Sequence, residues 1–213
     1  MVEPVLRAGD ALGVARAAMV MVHGRGASAT SILSHVKDLP LEGFAVVAPE
    51  AANAAWYPNR FMEPIESNEP YLGLALQWLD DLVSQLAEAN IPHEKIILLG
   101  FSQGACLTTE YAARHARRFG GVVGLSGGLI GPSGTPRDYA GSFQRTPIFL
   151  GCSDSDSHIP KERVMETRDV YERMGANVTM RLYPNMDHSI NADELQFVAS
   201  MMKAVLSNTS GAS

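Results

Sequence analysis

Two five-residue stretches of the chain could carry a nucleophilic serine. Gly100-Phe101-Ser102-Gln103-Gly104 and Gly124-Leu125-Ser126-Gly127-Gly128 both fit the pattern G-x-S-x-G. In that pattern a serine can stand at a sharp turn between a buried strand and a helix, with its hydroxyl raised for attack on an acyl carbon. The pattern is short, so its flanks must choose. KIILLG at 95–100 reads as a buried strand and CLTTEYAARHARR at 106–118 as a helix, which is the setting such an elbow needs. GLSGG runs instead into LIGPSGTP at 129–136, which cannot be helical. Ser102 is therefore the candidate nucleophile, and Ser126 is read as a Gly-rich turn after a strand.

A serine at its ordinary pKa is a weak nucleophile and needs a histidine base, which a carboxylate in turn orients. Of the six histidines, His188 lies in YPNMDHSI, just past a strand and before the last helical pattern. In a sheet with this kind of elbow the chain order is serine, acid, base, and His188 fits it. His115 sits three turns along the helix that begins at the serine, and His35 and His93 stand in polar surroundings. For the acid, GCSDSDSHIP offers two candidates. Counting forward from Gly151 favours Asp154, and counting back from Ile159-Pro160 favours Asp156. A third use of the stretch, a metal held by Asp154, Asp156 and His158, lacks further ligands, so no metal and no cofactor is expected. The loop VMVHGRGAS at 20–28 supplies an early strand and a His-Gly-x-Gly turn. There the Arg25 N–H can join the Gln103 N–H as an oxyanion donor, while His23 braces the loop.

Around these groups, short apolar runs alternate with longer segments of helical period. Strands are expected at 17–23, 45–48, 95–101, 121–125, 147–151 and 177–183, and helices at 70–89, 103–117, 160–174 and 191–206. Several strands are apolar throughout instead of alternating, as strands of a parallel sheet covered on both faces are. The fold class is thus α/β, with a mostly parallel central sheet and helices on both faces. Asn191 followed by Glu194 reads as a reciprocal helix cap. The stretch 51–69 is the longest non-periodic segment, and loops of that length tend to be functional.

The whole chain sets the outer bounds. Its 213 residues, 46% of them hydrophobic, suit one domain with a sizeable core, expected over 1–207 with a disordered tail at 208–213. A net charge of -6 without any basic run argues against a nucleic-acid or anionic-membrane partner. The two cysteines form no disulfide framework, and the N-terminus has neither a basic leader nor an apolar run long enough to span a bilayer. A cytoplasmic location follows as the expectation, with a homodimer left open.

With these residues in view, the sequence resembles the small carboxylesterase, phospholipase and acyl-protein thioesterase family of α/β-hydrolases. The likeness runs through HGRGAS, WYPNRF, GFSQGACLTTEYAAR, GLSGGLIG, DSHIP and YPNMDHSI. It implies a lid-less α/β-hydrolase fold and hydrolysis of a carboxylic ester or thioester, with Ser102 and His188 on the family's catalytic positions. The family's acid stands in G-x-x-D-x-x-V-P, which this chain meets only with two extra residues. The first half falls on Asp154 and the second on Asp156, with Ile159 for valine; Asp156 is preferred because the segment leading into a helix is the better fixed. Asn185 and Asp187 stand where relatives tend to have glycine, and asparagine tolerates the left-handed conformation a turn requires.

The absence of a large insertion leaves the expected site open. Trp56, Tyr57, Phe61 and Met62 on the long loop, opposite Leu129 and Ile130, are expected to wall a pocket for the acyl chain of a small ester. Short to medium acyl esters are the first reading. Acyl thioesters and lysophospholipids are its nearest rivals, and a hydrolase fold used only for binding is the more distant one.

Overall fold

In the computed structural model, residues 4–207 are described; the tail expected at 208–213 lies outside them. The elements run β1 (Val5–Gly9), β2 (Ala17–Val22), α1 (Ala29–Leu33), β3 (Phe44–Pro49), α2 (Tyr71–Glu88), β4 (Ile96–Phe101) and α3 (Gln103–Arg114). They continue through β5 (Gly121–Leu125), β6 (Pro147–Ser153), α4 (Lys161–Arg173), β7 (Asn177–Tyr183) and α5 (Ala192–Ser207). The strands form one sheet in the order β1-β3-β2-β4-β5-β6-β7. Every neighbouring pair is parallel except β1 with β3.

The continuously apolar strands divide their side chains between two cores, because successive residues point to opposite faces. Ala18, Val20 and Val22 of β2 join Ile96 and Leu98 of β4 beneath α2, α3 and α4. Ala17, Met19 and Met21 join Ile97 and Leu99 beneath α1 and α5. Helices therefore cover both faces, and α3 is so enclosed that every residue from Gln103 to Ala113 is buried.

Two elements escape the sequence reading. β1 pairs antiparallel at the edge of the sheet, and its half-exposed VLRAG shows neither a continuous apolar run nor an alternation. α1 is a single turn of five residues, too short for a helical period, capped by Ser28 and Ser31 exchanging side-chain and backbone hydrogen bonds. Other differences are at ends. β6 runs on to Ser153 because β7 pairs with it as far as Tyr183. α3 stops at Arg114, three residues early, where Ala116 turns away to bridge Gly141. The cap expected on α5 is present: the Asn191 N–H donates to Glu194 Oε2, and the Glu194 N–H donates to Asn191 Oδ1.

Since β2 through β7 are parallel, the loops that follow β2, β4, β6 and β7 leave the same edge of the sheet. That edge gathers His23–Gly26, Ser102, Asp156 and His188. Among the described residues no separate helical lid is inserted above it.

Candidate active site

The turn at Ser102 is built by steric crowding. Ser102 has φ 54° and ψ -120°, a conformation that a residue other than glycine adopts only under constraint. Its N–H donates to Leu125 O, and its carbonyl accepts the first helical bond, from Cys106 N–H. A Cβ on Gly100 would lie 2.3 Å from Gly104 O, and one on Gly104 would lie 2.2 Å from Val22 O. Only glycine allows the strand, the turn and the helix to meet so closely.

Three loops then converge on the serine. The Ser102 hydroxyl and His188 Nε2 are 2.8 Å apart, and His188 Nδ1 lies 2.7 Å from Asp156 Oδ2. An ionised carboxylate only accepts, so Nδ1 carries the proton and donates to Asp156, leaving the lone pair of Nε2 for the serine hydroxyl. The Asp156 side chain is fully buried, while that of His188 is 20% exposed. Burial pushes the Asp156 carboxyl up, but the bond from His188 and the N–H groups of His158 and Ile159 on Oδ1 outweigh it and hold it below the ordinary value. Phe101 and His158 flank the His188 ring at 5.0 Å and 4.8 Å between centroids, the second edge-on.

The neighbouring acid does something else. Asp154 Oδ1 accepts the Asn185 N–H, and the Asp154 N–H donates to Tyr183 O, so this residue ties the turn that leads to His188. Asn185, in that turn, has φ 52°. His35 and His93, in polar stretches of the sequence, are half-buried, and burial holds both below the ordinary histidine value.

The loop after β2 lies against the elbow: a Cβ on Gly24 would be 3.2 Å from that of Ser102. His23 is fully buried and bonds through Nδ1 to Gly24 O, while Nε2 accepts the Ala51 N–H. The Gln103 side chain reaches across to the long loop, where Oε1 accepts from Trp56 N–H and Nε2 donates to Tyr57 O. The Arg25 guanidinium clamps the same loop through Tyr57 O, Pro58 O and Asn59 O at 2.7–2.9 Å. Both residues expected as backbone donors thus also fix the loop above the serine with their side chains.

A cavity of about 250 Å³ opens at Ser102 and His188. Tyr57 and Phe61 line it, as expected, but the other four residues expected in its wall do not. Trp56 turns inward, donating its indole N–H to His23 O and lying between the rings of His23 and Trp78. Met62 packs on the core beneath the loop. Leu129 and Ile130 are fully buried, because Arg163 takes the Leu129 carbonyl and Glu110 the Ile130 N–H, drawing their backbone down. Their places are taken by Asn59, Arg60, Cys106, His158 and Ile159. The sequence held one signal for these, a charged residue inside the otherwise apolar and aromatic WYPNRF. Burial pushes the Cys106 thiol up to about 12, so it stands in the wall as an inert apolar group.

A parallel sheet with helices on both faces, and a serine elbow, histidine and carboxylate on its loops, define an α/β-hydrolase. Residues 11–206 match the model of the phospholipase/carboxylesterase family, and the chain belongs to that family, a group of serine hydrolases with esterase, thioesterase and phospholipase members. A solved structure titled as a phospholipase/carboxylesterase from Dyadobacter fermentans is similar to it. That structure shares 40% identity over 94% of this chain and 96% of its own, with a TM-score of 0.90. Acyl-protein thioesterase 1 of Debaryomyces hansenii is 26% identical over 95% of this chain and 97% of its own length. The protein of the same name from Saccharomyces cerevisiae is 31% identical over 72% and 70%.

Proposed function

We propose that the protein is a serine carboxylesterase acting on small esters of short to medium acyl chains. The observation that carries this reading is the unbroken chain of hydrogen bonds from the Ser102 hydroxyl through His188 to the buried Asp156. In the first half-reaction Ser102 Oγ attacks the ester carbonyl while His188 Nε2 takes its proton. Asp156 keeps the ring oriented and stabilises the imidazolium. The oxyanion is assigned to the N–H groups of Gln103 and Arg25. Gln103 is the first residue of α3, so its N–H has no acceptor within the helix, and the positive end of the helix dipole faces the developing charge. Imidazolium returns the proton to the leaving alcohol. Water then attacks the acyl-enzyme with His188 again as base, releasing the acid and restoring Ser102.

Thioester hydrolysis on the same residues is the second reading, favoured by the two yeast relatives that bear the thioesterase name. The size of the cavity speaks for shorter acyl groups, since about 250 Å³ is below the roughly 300–1,000 Å³ of common ligand sites. A fluorophosphonate, which phosphonylates an activated serine, tests the nucleophile: the added mass is expected on the Ser102 peptide and absent after Ser102→Ala. A series of 4-nitrophenyl esters from acetate to palmitate, beside an acyl thioester, tests the substrate. Labelling at Ser126, or no labelling, removes the proposal.

A further inference from the structure

Arg60 lines the cavity that holds Ser102 and also a second, shallower cleft beside it. Its backbone is fixed: the Arg60 carbonyl accepts from Glu63 N–H and from Nδ2 of Asn68, a fully buried residue whose Oδ1 also receives the Asn59 N–H. Its guanidinium, by contrast, has no hydrogen-bond or ion-pair partner among the described residues. Glu63 borders the neighbouring cleft but makes no ion pair with it.

Arg114, Arg137, Arg163, Arg168 and Arg181 pair with carboxylates, whereas Arg7, Arg16, Arg145 and Arg173 share the unpaired state of Arg60 among the described residues. What sets Arg60 apart from those four is its place in the wall of the cavity that contains Ser102. Around the cavity the ionisable side chains are Arg25, Arg60, His158 and His188, together with Tyr57 and Cys106, whose acidities burial suppresses. No carboxylate is among them, since Asp156 stands behind His188. Arg25 gives its donors to three carbonyls and keeps its charge. In a chain of net charge -6, the cavity that contains the serine carries two guanidinium groups that make no ion pair among the described residues. A cleft lined by one sign of charge concentrates ligands of the other.

We propose that the preferred substrate of this site is an ester carrying an anionic group, a carboxylate or a phosphate, which the Arg60 guanidinium receives while Ser102 attacks the ester carbon. The planar fork of arginine matches either anion with paired N–H donors. The proposal rests on the esterase reading and narrows it: Arg60 is exposed and water solvates its guanidinium, so a plain fatty acyl ester would gain nothing from it, whereas an anionic ester would, and Arg60 is a specificity-determining residue.

Substrate pairs with the same carbon skeleton test it. Mono-4-nitrophenyl glutarate against 4-nitrophenyl pentanoate puts the charge on the acyl side, and glycerol 3-phosphate monobutyrate against glycerol monobutyrate puts it on the alcohol side. At low ionic strength kcat/KM is expected to favour the anionic member of one pair by about tenfold or more. That ratio should fall towards one near 1 M salt, where screening acts within about 3 Å. It should collapse to within about twofold in Arg60→Gln and survive in part in Arg60→Lys, which keeps the charge without the fork. Turnover of all four esters with no anionic preference, or a preference that Arg60→Gln leaves intact, overturns the inference and leaves the esterase reading standing. Failure to turn over any of them removes both.

Discussion

The two G-x-S-x-G turns are alike in backbone and opposite in use. Ser102 and Ser126 have φ 54° and 50°, each follows a parallel strand, and each gives its N–H to a carbonyl of the next strand, Leu125 and Gly151. They differ in what lies beyond. Ser102 enters a helix and faces a cavity and a histidine, whereas Ser126 enters an irregular segment and is fully buried. The five-residue pattern therefore encodes a tight turn at the end of a buried strand. Whether the serine at its apex can reach a substrate is decided by the following element and by loops distant in sequence.

The sharpest way to break this comparison is to remove each hydroxyl. Ser102→Ala is expected to lower ester turnover by about 10⁴-fold or more, whereas Ser126→Ala should change it by less than about threefold. Equal effects would show that the second turn is not the bystander its burial makes it. The acids give the next contrast. Asp156→Asn should reduce kcat by about 10³- to 10⁴-fold, because an amide Nδ2–H facing Nδ1 favours the wrong tautomer of His188. Asp154→Asn, which keeps a carbonyl oxygen for the Asn185 N–H, should cost under about tenfold. A reversal of that order in steady-state rates would move the acid to Asp154.

Stability separates Gly104, which closes the first turn, from Gly124, which opens the second. A methyl on Gly104 meets the carbonyl oxygens of Val22 and His23 at 2.2 and 2.5 Å, backbone that cannot move aside. Gly104→Ala is expected to cost about 4 kcal/mol or more in denaturant unfolding. A methyl on Gly124 meets side-chain carbons of Thr109 and Leu150 at 3.0 and 3.1 Å, and Gly124→Ala should cost about 1–2 kcal/mol.

A last contrast, in pH dependence, lies beneath the second turn. Gly151, whose carbonyl receives the Ser126 N–H, packs against the buried Glu194, whose carboxyl is pushed up to about 7 by burial. The folded protein therefore binds a proton there more tightly than the unfolded chain, whose reference value is 4.5. Its contribution to stability is complete below that reference and is lost as pH rises through about 7. Glu194→Gln keeps an oxygen for the Asn191 N–H and removes the titration. The loss of stability between about pH 5 and pH 8 should shrink in this variant, by no more than about 3 kcal/mol. Unchanged pH slopes in thermal melts would place the titration elsewhere.

The same division between local pattern and distant contact runs through the molecule. Six strands and four helices were legible from apolar runs and helical period, and so was the choice between the serines, because a strand, a turn and a helix are contiguous in the chain. β1 and α1 were not, being too short for any period to appear. Asp154 and Asp156 are two residues apart and satisfy the same counting rules; only the register of β6 on β7 sends one to Asn185 and the other to His188. The pocket wall was the least legible part. Trp56, Met62, Leu129 and Ile130 are apolar and were expected to face substrate, yet burial in the core satisfies an apolar side chain equally well, and hydrophobicity cannot distinguish the two.

By itself, then, the sequence determined the layered α/β architecture, the strained turn at Ser102 and the position of His188 after the last strand, since each depends on neighbours along the chain. The tertiary structure alone decided which carboxylate meets the histidine, which side chains line the cavity and that Arg60 stands there without an ion pair among the described residues. Those outcomes depend on the direction of side chains from segments brought together across the sheet edge, and the packing of the whole domain sets those directions.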